Sequence, residues 1–251
     1  MYKRVTDNYQ STHKETNMKY TIDKSVFELN PNIKFGIIVA HNIQNSESTG
    51  DDEKRLREAE IKMRENIKPE QLREMENILL YRDVMLKSGI NPNKYPPSVE
   101  AMFKRILKGG QLPVINALVD LCNAISIENC ISLGGHDLKD IHHDLEVRYS
   151  ETGDVFLPFG EYEYENVPEG ELVFTSGNIV QTLKWVWRQS ELGKLTLNSK
   201  DVFFQLVGFE YNEESSLYNA MNEIKNIVTN RFNGTCQNYL VDINHNFIEF
   251  S

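Results

Sequence analysis

Pro97-Ser98-Val99-Glu100-Ala101-Met102-Phe103-Lys104-Arg105-Ile106-Leu107-Lys108-Gly109-Gly110, followed by Gln111-Leu112-Pro113 and then Ile115-Asn116-Ala117-Leu118-Val119-Asp120-Leu121-Cys122-Asn123, places two helices of different character side by side. In the first, Val99, Met102, Phe103, Ile106 and Leu107 recur at the i, i+3, i+4, i+7, i+8 spacing of one helix face. Pro97 suits its start and Gly109-Gly110 its stop. Lys104, Arg105 and Lys108 then fall toward the other side. The second helix, about Val114 to Ile127, carries an apolar stripe of Ile115, Leu118, Val119, Cys122 and Ile125. Asn116, Asp120 and Asn123 share a different face at i, i+4, i+7.

Upstream, Met18 to Ile22 and Ile33 to Ile43 read as strands, the second nearly continuous and apolar and therefore central in a sheet. Residues 1–17 are polar without periodicity and read as a loosely attached tail. Asp51 to Asn66 and Pro69 to Lys87 read as charged helices with solvated faces. Downstream of Cys130 the texture turns to strands: Leu145 to Tyr149, Val155 to Phe159, Glu171 to Ser176, Ile179 to Trp187 and Val202 to Gly208. One more helix, Glu214 to Val228, precedes a closing strand at Tyr239 to Ile243 or Phe247 to Phe250. Helices gather mostly in the N-terminal half and strands in the C-terminal half, which makes the fold class α+β, with 18–251 as a single domain.

The chain of 251 residues is 40% hydrophobic and 25% charged, an ordinary soluble composition, and no apolar run approaches the length of a membrane helix. A cytoplasmic location is the expectation. Cys122, Cys130 and Cys236 lack C-x-x-C spacing and read as buried thiols. The net charge of -10 argues against indiscriminate coating of nucleic acid. That charge is uneven, however: Arg82 to Gly110 holds six bases against two acids, whereas Glu210 to Ser251 holds two bases against six acids. A locally basic patch on an acidic body suits a transient, selective RNA partner; a plain solvated helix face is the structural alternative.

Asn116, Asp120 and Asn123 offer amides and a carboxylate that fix a polar ligand by hydrogen bonds, or that simply tie neighbouring loops. Gly134-Gly135-His136 sets an imidazole after two residues whose amides a ligand can approach closely, a pattern that also describes a plain turn. His136, Asp137, Asp140, His142, His143 and Asp144 cluster in sequence, but without H-E-x-x-H or a Cys partner they do not read as a metal site. Trp185 and Trp187 alternate on one strand face, fit for core packing or for stacking on a base. Without a Ser-His-Asp order, nucleophile elbow, P-loop or G-x-G-x-x-G, neither covalent catalysis nor nucleoside triphosphate use is expected, and no cofactor is called for.

Ile115 to Asn123 resembles the pattern Ile-Asn-Pro-x-Val-Asp-x-x-Asn that opens the tRNA-editing domain of the bacterial phenylalanyl-tRNA synthetase beta subunit. The resemblance is strongest over Tyr81 to Phe209 and includes Leu133-Gly134-Gly135-His136-Asp137-Leu138. Trp187-Arg188-Gln189-Ser190 and Asn93-Lys94-Tyr95-Pro96-Pro97-Ser98 are similar to free-standing relatives of that domain, some of them implicated as trans-acting deacylases. The resemblance implies a layered β/β/α fold and an editing pocket lined by Asn123 and His136. Ser199 to Gln205 matches the strand on which the synthetases carry a Glu that recognises the hydroxyl of mischarged tyrosine. Gln205 stands there in this chain, and Ala117 replaces the Pro of the opening pattern.

On that resemblance the expected activity is trans-acting hydrolysis of mischarged aminoacyl-tRNA, with His136 and Asn123 as catalytic residues. Asn116, Asp120, Gly134, Gly135, Arg188, Gln189, Ser190 and Gln205 are expected to line the substrate site. Lys94, Lys104, Arg105 and Lys108 are expected to meet the acceptor end of tRNA, with neither DNA nor membrane as partner. An RNA-binding module without hydrolysis and a pocket for a free amino acid remain alternatives. The expectation has one spatial core: Asn123 and His136 border a common hollow beside a positively charged rim.

Overall fold

An unbroken apolar run such as Phe35 to Ala40 is stable as a strand only where both faces and both edges are covered. In the computed structural model, which describes residues 17–251, that is its position. In chain order the described residues begin with β1 (Met18–Ile22), α1 (Lys24–Leu29), β2 (Lys34–His41), α2 (Gly50–Asn66), α3 (Glu76–Lys87), α4 (Ser98–Leu107), α5 (Ala117–Asn129) and β3 (Ser132–Asp137). They continue with β4 (Leu145–Tyr149), β5 (Val155–Phe156), β6 (Glu165–Asn166), β7 (Leu172–Ser176), β8 (Ile179–Leu183), β9 (Arg188–Gln189), β10 (Val202–Gly208), α6 (Ser216–Asn226), β11 (Thr235–Val241) and β12 (Phe247–Phe250). The tail expected over 1–17 lies, apart from Asn17, outside the described residues.

Strand β2 lies inside a four-stranded antiparallel sheet of order β11-β2-β10-β3. Alternate side chains go to different cores. Ile38 and Ala40 of β2, with Phe204 and Leu206 of β10, pack under Leu118, Leu121 and Ile125 of α5 and Met221 and Ile224 of α6. Phe35, Ile37 and Val39, with Phe203 and Val207, face a second core shared with Tyr20, Phe174 and Trp185. A Cβ at Gly36 would overlap Met221 Sδ, so the absence of a side chain lets α6 lie directly on β2.

The second core is closed by an eight-stranded sheet of order β12-β1-β4-β7-β8-β5-β6, with β9 paired to β8. Helix, small sheet and large sheet thus form the layers of an α+β fold, with helices and strands more interspersed than a clean division between halves. Where the sequence predicts one helix over Pro69 to Lys87, a 3₁₀ segment (Pro69–Glu74) and α3 are separated by Met75 in extended backbone at ψ 130°. Both candidates for the closing strand exist, as β11 and β12. No helix among the described residues is long and apolar enough to cross a membrane.

Two local departures shape the site. The strand expected over Ile179 to Trp187 ends at Leu183, and the chain turns back through Lys184 and Trp185, both left-handed at φ 51° and 66°. Two adjacent left-handed residues with side chains are costly, and the surrounding contacts must enforce them. Gly134 and Gly135 are not a turn: they lie in β3, paired across to Gln205 and Phe204. A Cβ at Gly135 would approach Leu195 Cδ1 to 2.7 Å, so tertiary crowding, rather than a turn, explains the second glycine.

Candidate functional site

Because β3 alternates its residues between two faces, Gly134 and His136 face one side and Gly135 the other. On the first side lies a small hollow of about 70 Å³ between the two sheets. Its wall brings together His136, Gln205, Ser98, Ser132, Thr182 and the turn residues Trp185 and Trp187. The α4 start closes one end: Ser98 N donates to Val186 O at 2.8 Å, and the hydroxyls of Ser98 and Ser132 are 3.2 Å apart.

The His136 imidazole is buried, lies edge-on to Phe174 with centroids 5.0 Å apart, and leaves Nδ1 without a hydrogen-bond partner among the described residues. Burial pushes its pKa down to about 4, since the charged ring would lose its hydration. The ring is therefore neutral at physiological pH. It can orient water or accept a proton, but it brings no positive charge to a ligand. Gln205 Oε1 accepts a 2.7 Å hydrogen bond from Tyr20 Oη, across 185 positions of sequence.

On the other side of β3 is a wider, more apolar hollow of about 260 Å³, lined by Ile115, Cys122, Asn123, Phe159, Lys194 and Leu195, with Gly135 at its base. The Asn123 amide makes no hydrogen bond to another described residue. Leu133 and Gln189 border both hollows. Gln189 Nε2 donates to Gly135 O at 2.8 Å and ties β9 to the outer edge of β3. Asn123 and His136 therefore stand in adjacent hollows, and the single shared hollow expected from the sequence is overturned. The physical reason is the strand period, which sends the ring of His136 through the opposite face from Gly135.

Other expected site residues are spent on the fold. Asn116 is the N-cap of α5: its Oδ1 accepts from Val119 N at 3.1 Å and from Asn45 Nδ2 at 3.0 Å. Asp120, fully buried, accepts from Ile115 N at 3.0 Å and from Ser48 Oγ at 2.5 Å. Ser190 Oγ donates to Leu157 O and accepts from Leu192 N, both at 3.1 Å. The substrate-binding expectation for these three gives way to capping and loop-tying, since their polar atoms already have partners.

The basic patch is also partly spent. Lys104 Nζ lies 2.7 Å from the buried carboxylate of Glu100, which Arg82 pairs at 3.0 Å, so Lys104 neutralises an interior charge. Arg105 Nε donates to Gln111 O at 2.7 Å while the residue stays exposed. Lys94, Lys108 and Arg188 are exposed cations. Trp187 extends the wall of the small hollow to Tyr95, with rings 4.7 Å apart, and Lys94 Nζ sits 5.0 Å from the Tyr95 centroid. Arg188 flanks the Trp187 ring at 6.0 Å. Tyr20, Thr182, Tyr95 and Phe159 were not expected at the site; their only signal is long-range packing, which spacing does not carry.

A family model described as the B3/4 domain matches residues 80–243, well over half of the chain. The chain belongs to the B3/4 domain family. Among solved structures, this B3/4 chain is similar to an N-terminal fragment of the phenylalanyl-tRNA synthetase beta-subunit from Pyrococcus horikoshii, at 12% identity and a TM-score of 0.40. That likeness covers 89% of this chain and 51% of the other, so this chain spans about half the length of that fragment. No curated protein matches.

Proposed function

We propose that this B3/4 chain acts in trans on aminoacyl-tRNA and hydrolyses the ester of a wrongly attached amino acid, without a covalent intermediate. The observation that carries the reading is the convergence on one small hollow of His136 and Gln205, two of the three positions, with Asn123, that the resemblance assigns to substrate recognition. The acyl side chain enters that hollow, and the terminal adenosine lies in the wider one against Phe159, Asn123 and Lys194. Gln189, which borders both, is the group around which the two parts of the ligand divide.

The reaction needs little machinery because an aminoacyl ester is already activated. A water oxygen adds to the ester carbonyl carbon, the bond from that carbon to the ribose oxygen breaks, and a proton passes to the leaving oxygen. Free amino acid and tRNA with an intact terminal hydroxyl result. A neutral His136 positions the water or receives its proton, worth about 100-fold to 10,000-fold; Asn123 stands on the adenosine side. Lys94, Arg105, Lys108 and Arg188 supply exposed cations for the acceptor stem, and the charge of Lys104 stays with Glu100.

A second reading, an RNA-binding module of the same fold without hydrolysis, is favoured by the bond between Gln189 and Gly135 that keeps Asn123 apart from His136. A panel of mischarged tRNAs incubated with the protein, His136→Gln and Asn123→Ala separates the two. Accelerated loss of at least one amino acid, slowed in both variants, is expected. Salt-sensitive tRNA binding with no deacylation above buffer rates leaves the binding module and ends the hydrolase reading.

A further inference from the structure

Beside the neutral His136 ring, which offers one donor and one acceptor nitrogen, the fixed polar groups around the small hollow are donors. Tyr20 is fully buried, and burial holds its phenol well above the ordinary range, so the hydroxyl keeps its proton and needs an acceptor. In the Gln205 amide only Oε1 can accept, and the 2.7 Å contact is to that atom. With Oε1 committed, the amide has only its N–H donors left. No described residue accepts from them. Trp185, in the same wall and fully buried, carries an indole N–H that also lacks a partner, and indole is donor-only. The hydroxyls of Ser98, Ser132 and Thr182 rotate to suit either role. Among the described residues no Lys or Arg lines the hollow, so a carboxylate there would be desolvated without a counter-charge from them.

We propose that the hollow selects a short side chain ending in a neutral hydrogen-bond acceptor, an amide or ketone oxygen, and that Tyr20 is the positioning residue that makes Gln205 a donor. Tyr20 lies outside the stretch matched to the B3/4 family, so this polarity is set by strand β1 rather than by the matched residues. An ammonium group is disfavoured, and a hollow of only about 70 Å³ favours a short side chain. This deepens the deacylase reading and rests on it only for the adenosine that the probe carries.

The test uses the full chain and non-hydrolysable 3′-aminoacylamino-3′-deoxyadenosines bearing asparaginyl, leucyl or 2,4-diaminobutyryl groups, titrated by calorimetry. The asparaginyl compound should bind about tenfold or more tighter than its leucyl isostere, because leucine would leave the donors unpaired. The ammonium compound should bind more weakly than the asparaginyl one. Tyr20→Phe, which frees the amide to rotate, should narrow the asparaginyl-to-leucyl ratio several-fold. A second readout needs no folded variant: the Gln205 side-chain amide resonances should move with the asparaginyl probe and not with the leucyl probe. Equal binding of asparaginyl and leucyl probes, unmoved Gln205 resonances, or no binding by any probe overturns the inference. Asparaginyl preference without deacylation of any tRNA retains it and removes the hydrolase; deacylation without the preference does the reverse.

Discussion

The two hollows flanking β3 differ in size and in the groups that line them. One is small, its wall set by buried groups that hold each other across long sequence distances, as Tyr20 holds Gln205. The other is wider and more apolar, with Ile115 and Phe159 left 53% and 57% exposed at its edge. Fixed, buried hydrogen-bonding groups discriminate, whereas an exposed aromatic rim tolerates many partners and contributes contact area. Under the proposed function, specificity and chemistry fall to the first hollow and docking to the second, a division that can be broken experimentally.

The largest expected effect is on the rate. His136→Gln should lower deacylation about 1,000-fold, near the middle of the range for a positioned acid or base, while binding of the non-hydrolysable probe changes little. Single-turnover kinetics with excess protein measures this directly. A loss of probe binding equal to the loss of rate would make His136 a binding group and erase the contrast between the hollows.

The same burial predicts a pH dependence of stability. The folded-state pKa of His136 is near 4, below the unfolded value of 6.5, so the unfolded chain binds the proton more readily. The contribution is fully present above about pH 6.5, falls progressively as pH drops toward 4, and levels off below, a loss on the order of 3 kcal/mol. Urea unfolding at pH 7, 5.5 and 4.5 should show His136→Gln losing less stability on acidification than the parent. Parallel curves for the two would mean that water reaches the ring.

How far the sequence revealed this division follows from which interactions are local. The apolar run of β2 and the i, i+3, i+4 face of α4 appear as expected because period and burial are written into consecutive residues. Gly134-Gly135 looked like a turn because the crowding that demands a glycine at 135 comes from Leu195 and the paired strand at Phe204, far along the chain. Trp185 and Trp187 alternate like strand residues, yet hairpin closure puts Lys184 and Trp185 in left-handed backbone that no nearby glycine announces. Helical spacing does place Asn116, Asp120 and Asn123 near one another, but whether each polar atom faces a loop or solvent depends on partners such as Ser48 and Asn45.

That last distinction can be sharpened by mutation. Asp120→Ala leaves the Ile115 amide and the Ser48 hydroxyl without their acceptor and should destabilise the fold by about 2 kcal/mol. Once folded, the variant should keep most of its rate per molecule, since both oxygens point into the structure rather than into either hollow. Chemical denaturation gives the stability change, and the rate is measured below the unfolding transition. A variant as stable as the parent with its rate abolished would return Asp120 to the substrate site.

The smallest effect is expected at the wider hollow. Phe159 is more than half exposed and its ring meets Lys194 Nζ at 5.6 Å, so removing it costs the core almost nothing. Phe159→Ser should leave the unfolding midpoint unchanged and weaken the asparaginyl-adenosine probe by about 1 kcal/mol, the lower range for loss of one stacked base. Because docking and selection are separate, the asparaginyl-to-leucyl ratio should stay the same while both affinities fall together. Calorimetry of the two probes against this variant reads both quantities. A changed ratio would show that the apolar rim reaches the acyl side chain, and the two hollows would then have to be treated as one cleft with Gln189 inside it.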